Sequence, residues 1–459
     1  MTVDDGPRRG RPRSTRRDLE RYAGLFAART QVMKSSAMRD LMAVTARPEV
    51  ISLAGGLPDT SSFPPQTFAA IAQRIARESC AKALQYGPTE GLTETKECIA
   101  EVMRADGGMA VDLDDLIVTT GGQQVIDLVT KVLIDPGDVI VAEAPTYPGA
   151  VPTFSSYQAD VVQIDLDADG MRIDLLEERL AQLERDGRRP KFIYTVPSFQ
   201  NPAGVTMSLE RRRRLVELAA EREILVLEDN PYGLLRYEGQ PLPPLYALDG
   251  GGYVMYLGTF SKILSPGIRL GWVAAPAPIL EKINLGKQAA DLCTSTLSQL
   301  MVQAYFEEAR WHDYVESLTE IYRARRDTML DALAEFFPPE AEWTRPAGGL
   351  FIWATLPDFI DTTDLLARAL RDNVAFVPGE AAYLDGRGRN AMRLNFSASD
   401  EDSIREGIRR IGKVVREQVA LYGTLTGRPA APPTTAPREA PAAEPGQAQV
   451  VPLRRRQAQ

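Results

Sequence analysis

Seven short apolar runs mark the middle of this chain, and segments with helical spacing lie between many of them. The runs are LIVTT, DVIVAEAP, ADVVQIDL, KFIYTVPS, EILVLED, VMYLGTF and IRLGWVAAP, between residues 116 and 276. Unbroken apolarity is the mark of strands buried on both faces, as in parallel sheets. Of the intervening segments, SLERRRRLVELAAERE can be capped by Ser208, with Leu209, Leu215, Val216, Leu218 and Ala219 at its apolar positions. In DLLEERLAQLERDG, Leu175, Leu176, Leu180 and Leu183 mark one face and Gly187 is a stop. Such alternation predicts an α/β fold, with a large domain built on a mostly parallel seven-stranded sheet flanked by helices. A long helical region follows, at 278–337. Strand-like TRPAGGLFIWATLP and AMRLNFSAS, with helical TTDLLARALRDN and DEDSIREGIRRIGKVVREQVALY, then predict a smaller α+β domain. The expected divisions are a disordered basic arm at 1–17, an N-terminal segment at 18–63, a large domain at 64–310, a small domain at 311–422 and a disordered Pro/Ala-rich tail at 423–459.

Composition narrows the chemistry. The 459 residues include one histidine, His312, in EEARWHDYVE, which reads as a helix-surface or interhelical residue. No G-x-S-x-G elbow accompanies it to make a serine triad. Cys80, Cys98 and Cys293 are odd in number and scattered without C-x-x-C spacing, so neither a metal site nor a disulfide framework is expected. That usage suits a reduced, cytoplasmic protein. A net charge of −9 argues against nucleic-acid binding. No apolar run approaches the ~20 residues of a membrane helix, and the basic N-terminus has no apolar signal region. An enzyme of this composition needs a proton carrier other than histidine, and a lysine with a depressed pKa is the natural substitute. There are nine lysines against 44 arginines. Lys262 is conspicuous among them, because it ends the apolar run YLGTFSK, and lysines are almost never buried unless paired or at work.

In open α/β sheets, ligands gather at the carboxyl ends of the strands. After LIVTT come Gly121, Gly122 and Gln123, at the start of a helical pattern; its amides suit an anion, and a plain tight turn fits equally. Neither a Walker loop nor G-x-G-x-x-G is present. After VIVAEAP comes Tyr147, a ring for stacking on a planar ligand or for packing. Asn201 follows FIYTVPSFQ, Asp229 and Tyr232 follow ILVLE, and Thr259, Ser261, Lys262 and Arg269 follow YLG. Together they specify a ligand that is planar, phosphorylated and electrophilic.

The chain resembles, over about residues 20–420, the fold-type-I, pyridoxal-phosphate-dependent aminotransferases of class I/II, and most of all the 2-aminoadipate and kynurenine aminotransferase-like group. The motifs that carry the resemblance are SLAGGLPD (52–59), LQYGPTEG (84–91), VTTGGQQ (118–124), EAPTYPGA (143–150), VPSFQNPAG (196–204), LEDNPYGLLRY (227–237), YLGTFSKILSPGIRLGW (256–272), RPAGGLFIW (345–353) and RLNFS (393–397). Their order and spacing hold across the chain. The resemblance implies pyridoxal 5′-phosphate as cofactor, bonded to Lys262, which would also move the proton between substrate Cα and the cofactor. Asp229 would pair with the pyridine nitrogen, Asn201 and Tyr232 with the ring oxygen, and Tyr147 would stack on the ring. Gly122, Gln123, Thr259, Ser261 and Arg269 would hold the phosphate. Tyr86 would reach the phosphate of a neighbouring subunit, implying a homodimer. Arg393 would clamp the substrate carboxylate, Gly55 and Gly56 would line its pocket, and Arg39 in the N-terminal segment would lie over it.

Three departures from the group are small. Gly122 stands where relatives often have serine, NPAG replaces NPTG, and TFSK replaces SFSK. The implied reaction is ping-pong transfer of an amino group from an L-amino acid to a 2-oxo acid, with 2-oxoglutarate as the expected acceptor. Aminoadipate, aromatic and branched-chain donors all stay open. A β-lyase or other Cα-carbanion reaction would use the same cofactor shell. A regulator would carry a fused winged helix-turn-helix module of about 60–70 residues, more than the segment before ISLAGG comfortably provides.

Overall fold

The computed structural model describes residues 22–33, 41, 47–249, 252–427 and 433. The basic arm at 1–17 and Arg39 lie outside the described residues. In chain order the strands are β1 (Ile51–Ser52), β2 (Leu116–Thr119), β3 (Val139–Ala144), β4 (Asp160–Asp167), β5 (Gly170–Met171), β6 (Pro190–Thr195), β7 (Leu225–Asp229), β8 (Val254–Thr259), β9 (Gly271–Ala274), β10 (Glu342–Trp343), β11 (Phe351–Thr355), β12 (Val374–Ala375), β13 (Val377–Pro378) and β14 (Ala391–Asn395).

The large sheet has the order β2-β9-β8-β7-β6-β3-β4-β5. From β8 through β7, β6 and β3 to β4, neighbours pair in parallel. All residues of β2, β3, β8 and β9 are buried, which is why these strands read as unbroken apolar runs. The expected seven strands become eight through β5, which pairs antiparallel with the end of β4. Two residues carry no period, so β5 is invisible in sequence. A second correction concerns IRLGWVAAP, grouped above with the parallel strands. It forms β9, antiparallel to both β2 and β8. The loop after Thr259 brings the chain back so that Gly271 pairs with both Thr119 and Thr259, and β9 runs opposite to the two strands between which it lies.

The predicted helices form on both sides of these strands. Ser208 accepts from the Arg211 N–H and caps the helix Leu209–Arg222 as expected. The helical region contains Ala277–Asp291, Thr296–Glu308 and Trp311–Phe336. The smaller sheet, β10-β11-β14-β13, is antiparallel throughout. The last helix, Glu401–Thr426, runs past residue 423, where a disordered tail was expected to begin. β1 pairs in parallel with β12 as a separate two-stranded sheet, joining the segment before the large sheet to the chain that enters β13. One apolar core runs through both sheets, from Ile140 and Leu227 to Ile352, Leu394 and Ile408. Two consequences position the site. The parallel strands β3, β6, β7 and β8 all end at one edge of the large sheet, and Arg393 of β14 faces that edge from the smaller one.

Candidate active site

Asp229 is the last residue of β7 and is buried. The Tyr194 hydroxyl, from neighbouring β6, donates to its Oδ2 at 2.6 Å. Burial pushes the Asp229 carboxyl up to about 6, and the Tyr194 hydrogen bond opposes that rise. A cationic partner would reverse it, since an opposite charge favours the ionised carboxylate. Three residues on, Tyr232 receives a 3.4 Å hydrogen bond from Asn201 Nδ2. Burial raises the phenol pKa of both Tyr232 and Tyr147, so both are neutral donors at ordinary pH. Tyr147 follows β3 and lines the same recess as Asp229, Asn201 and Tyr232.

Lys262 lies three residues beyond the end of β8, and its Nζ donates to the Gly56 carbonyl at 2.5 Å. Burial, then the Arg393 and Arg269 charges, lower its amine to about 8. A substantial neutral fraction therefore exists near physiological pH. At the other end of the recess, the helix Gly122–Leu133 presents its first turn. The Thr259 and Ser261 hydroxyls lie 2.9 Å apart, and the Ser261 N–H donates to Thr259 Oγ1 at 3.1 Å. Arg269 has a left-handed backbone (φ +55°), and its guanidinium reaches back toward the helix start, 3.4 Å from the Thr120 carbonyl. Gly271 permits this: a Cβ there would come within 2.7 Å of the Gly121 backbone. A Cβ at Gly122 would stand 3.0 Å from Leu257 Cδ2, so the serine of relatives would crowd Leu257 here. Helix-start amides, two hydroxyls and an exposed guanidinium form an anion cradle. A buried carboxylate, a tyrosine ring and a phenol–amide pair suit a protonated heteroaromatic ring, and the lysine suits an aldehyde.

A second recess, of about 190 Å³, meets the first, of about 180 Å³, at Tyr147, Asn201, Tyr232 and Lys262. Its floor is Arg393, 1% exposed in the middle of β14. Arg393 donates to Asn201 Oδ1 at 2.9 Å and to the Ala54 carbonyl at 2.7 Å, and its guanidinium lies 4.3 Å over the Phe351 ring. Burial lowers its pKa to about 10, so it remains charged. Gly55 and Gly56 line this recess as predicted. A Cβ on Gly56 would approach Phe351 to 3.1 Å.

The fold thus brings together all the predicted site residues except two. Arg39 lies outside the described residues. Tyr86 is 78% exposed and lines neither recess. Gln123 is at the anion cradle, but its side chain turns away to the Gly149 carbonyl and the Thr153 hydroxyl. Sequence reading missed Tyr194, whose hydroxyl is indistinguishable from core packing in an apolar run. It also missed Leu41, Leu57 and Phe351, which reach the second recess from separate segments.

This geometry defines an enzyme that handles amines through a phosphorylated aldehyde cofactor. The comparisons with known proteins agree: residues 48–411 match the aminotransferase class I and II family, and the chain belongs to it. It is a pyridoxal-phosphate-dependent aminotransferase that moves an amino group between an amino acid and a 2-oxo acid. Aromatic-amino-acid aminotransferase 1 of Thermococcus litoralis is 46% identical over 402 residues, covering 88% of this chain and 96% of that protein. The 2-aminoadipate transaminase of Thermus thermophilus is 39% identical, over 85% of this chain and 96% of that protein. The crystal structure of the multiple substrate aminotransferase from Thermococcus profundus superposes with a TM-score of 0.83 at 44% identity, covering 87% of this chain and 99% of that one. No helix among the described residues is long and apolar enough to cross a membrane.

Proposed function

We propose that the enzyme takes amino donors with a single carboxylate and an apolar or aromatic side chain, and passes the amine to 2-oxoglutarate. The observation that carries this is the lining of the second recess. Arg393 and Lys262 are the cations among its described residues, and Leu41, Leu57, Phe351 and Tyr147 supply its apolar wall. Arg393 would bind the α-carboxylate, which leaves a donor's side chain against that wall. Arg39, outside the described residues, is proposed to lie over the same recess and to meet the second carboxylate of 2-oxoglutarate, so that the apolar wall sets the preference among donors. The names of the two relatives, one acting on aromatic amino acids and one on 2-aminoadipate, span the alternatives.

The residue roles follow from chemistry. Bound pyridoxal phosphate supplies an aldehyde that captures the amine and a ring that stores the electron pair released at Cα. Asp229 keeps the ring nitrogen protonated, and Tyr194 holds Asp229 in place. Tyr147 stacks on the ring. Asn201 and Tyr232 orient its oxygen, and Asn201 is itself held by Arg393. The amides of Gly122 and Gln123, the hydroxyls of Thr259 and Ser261, and Arg269 hold the phosphate. Lys262, with its lowered pKa, would carry the proton released at substrate Cα. Gly55 and Gly56 leave room for the substrate backbone.

The working unit is proposed to be a homodimer. Leu84, Tyr86, Leu292 and Leu297 are exposed large apolar side chains, and the Thr296 hydroxyl ties their segments together by donating to the Gln85 carbonyl at 3.0 Å. Such exposed side chains call for a partner surface, and Tyr86 among them would enter the neighbour's phosphate site. Three free cysteines suit a cytoplasmic location. A panel of amino donors with 2-oxoglutarate, scored by kcat/KM, tests the substrate proposal. Phenylalanine, tyrosine, kynurenine or leucine should exceed 2-aminoadipate and aspartate; a preference for the dicarboxylic donors rejects it. Analytical ultracentrifugation tests the dimer, and a monomer at micromolar concentration rejects it.

A further inference from the structure

Glu143 is a carboxylate inside an otherwise apolar strand, 1% exposed, and has no role in the site as described so far. The β3–β6 ladder stops at Ala142↔Tyr194. Beyond that pair the Glu143 side chain replaces the missing ladder. Its Oε1 accepts from the Thr195 hydroxyl at 2.5 Å, and both its oxygens stand 3.2 Å from the Val196 nitrogen, whose N–H they share. Oε2 also accepts from Gln200 Nε2 at 2.9 Å. The same Nε2 donates to the Pro145 carbonyl at 2.8 Å, while Gln200 Oε1 accepts the Ala203 N–H at 2.7 Å. Those two contacts fix the orientation of the amide, because a carbonyl can only accept and an N–H can only donate. Every group hydrogen-bonded to the carboxylate is therefore a donor. One carboxylate and one amide thus tie together the exits of β3 and β6, which lead directly to Tyr147 and Asn201.

We propose that Glu143 and Gln200 form a buried clamp that fixes Tyr147, which meets the face of the planar ring, relative to Asn201, which meets its edge, and hence the shape of the slot that receives the ring. The role of the slot rests on the function proposed above. Glu143 is a positioning residue and acts only through the two loops it holds. The molecule contains its own control. Glu228, on β7, is equally buried and accepts the Leu245 and Tyr246 N–H groups at 2.9 and 2.8 Å. Burial pushes both carboxyls up to about 7. The partners of Glu228 begin the helix Leu245–Asp249, which contributes nothing to either recess. Removing either carboxylate strips buried donors of their acceptor, and only removal of Glu143 releases the site loops.

The test compares full-length Glu143→Ala, Gln200→Ala and Glu228→Ala by backbone hydrogen exchange and by pyridoxal phosphate titration followed by visible circular dichroism. Glu143→Ala and Gln200→Ala should speed exchange across 146–149 and 196–204 about tenfold or more. Both should also weaken pyridoxal phosphate binding about tenfold and reduce the ellipticity of the bound ring. Glu228→Ala should speed exchange near 245–249 and leave the bound-ring signal as in wild type. Glu143→Gln keeps the shape and one acceptor oxygen, and its NH2 can donate to the Thr195 hydroxyl, so it should recover part of the binding. Unchanged exchange at 146–149 and 196–204 in Glu143→Ala overturns the clamp, whatever the cofactor does. Wild type that takes up no pyridoxal phosphate, but shows the expected exchange pattern, supports the clamp and rejects the cofactor role of the slot. If Glu143→Ala does not fold, Gln200→Ala decides alone, since it leaves Glu143 its Thr195 and Val196 donors.

Discussion

The two recesses that meet at Lys262 are built in different ways. The one that suits the cofactor is made almost entirely of residues within a few positions of parallel strand ends: Tyr147 after β3, Asn201 after β6, Asp229 in β7, and Thr259 to Lys262 at β8. The one that suits the substrate takes Leu41, Gly55 to Leu57, Phe351 and Arg393 from segments hundreds of residues apart. The first is a property of one sheet, with its spacing set by strand register. The second exists only because the smaller sheet packs against the larger one, and it is the part that can vary without disturbing the first. Substitutions should therefore separate into those that abolish chemistry on any donor and those that change affinity for particular donors.

The largest effect belongs to Lys262, one of the four residues that both recesses share. Lys262→Ala should lower kcat by about 10³-fold or more on every donor, as expected for loss of the proton carrier. The covalent absorbance band of the cofactor should disappear with it, and a retained band would break the assignment. Arg393→Ala comes next and tests independence of the recesses. It removes a charged, buried donor to Asn201 and the Ala54 carbonyl, so kcat/KM for all carboxylate-bearing donors should fall about 10²-fold. Pyridoxal phosphate affinity should change little by comparison, measured by titration of the apoprotein. An equal loss of cofactor affinity would show that the recesses are one unit, coupled through the Arg393–Asn201 hydrogen bond.

Tyr194→Phe should be milder. It removes the hydroxyl that holds the Asp229 carboxyl down against burial, so that carboxyl should titrate higher. A loss of about 1 kcal/mol, or several-fold in cofactor affinity, is expected, with the acid limb of the pH–rate profile moving to higher pH. The smallest effect is on pH alone. The Lys262 amine, lowered to about 8, is protonated below that pH and neutral above it. Only the neutral amine can attack an aldehyde, so the rate of pyridoxal phosphate uptake by apoprotein should rise from pH 7 to 9 and level off beyond. An ordinary lysine would still be gaining at pH 10. Stopped-flow absorbance across that range distinguishes the two.

The cofactor side was legible in sequence because its chemistry is attached to local signals. An apolar run followed by Gly-Gly, Tyr-Pro, Asn-Pro or Ser-Lys marks a strand end and its loop together. Lys262 stood out as a lysine at the end of a run too apolar to leave it in water. Tyr194 lay hidden in the same kind of run, because a phenol that packs and one that donates to a carboxylate look alike until the neighbouring strand is placed. Glu143 was visible as an acid in an apolar strand, yet its partners Thr195 and Gln200 come from a strand over 50 residues away. The direction of β9 followed the same logic: its sequence states that it is buried, and only its pairing with β2 and β8 makes it antiparallel.

Period and composition therefore determined the α/β class, the strands and the residues at their ends, since those depend on interactions within a few positions along the chain. Tertiary structure decided which of those ends share a cleft, that Arg393 faces Lys262 across it, and that the wall beside Arg393 is apolar. Contacts between segments far apart in sequence depend on how two sheets pack, and no local pattern encodes that packing.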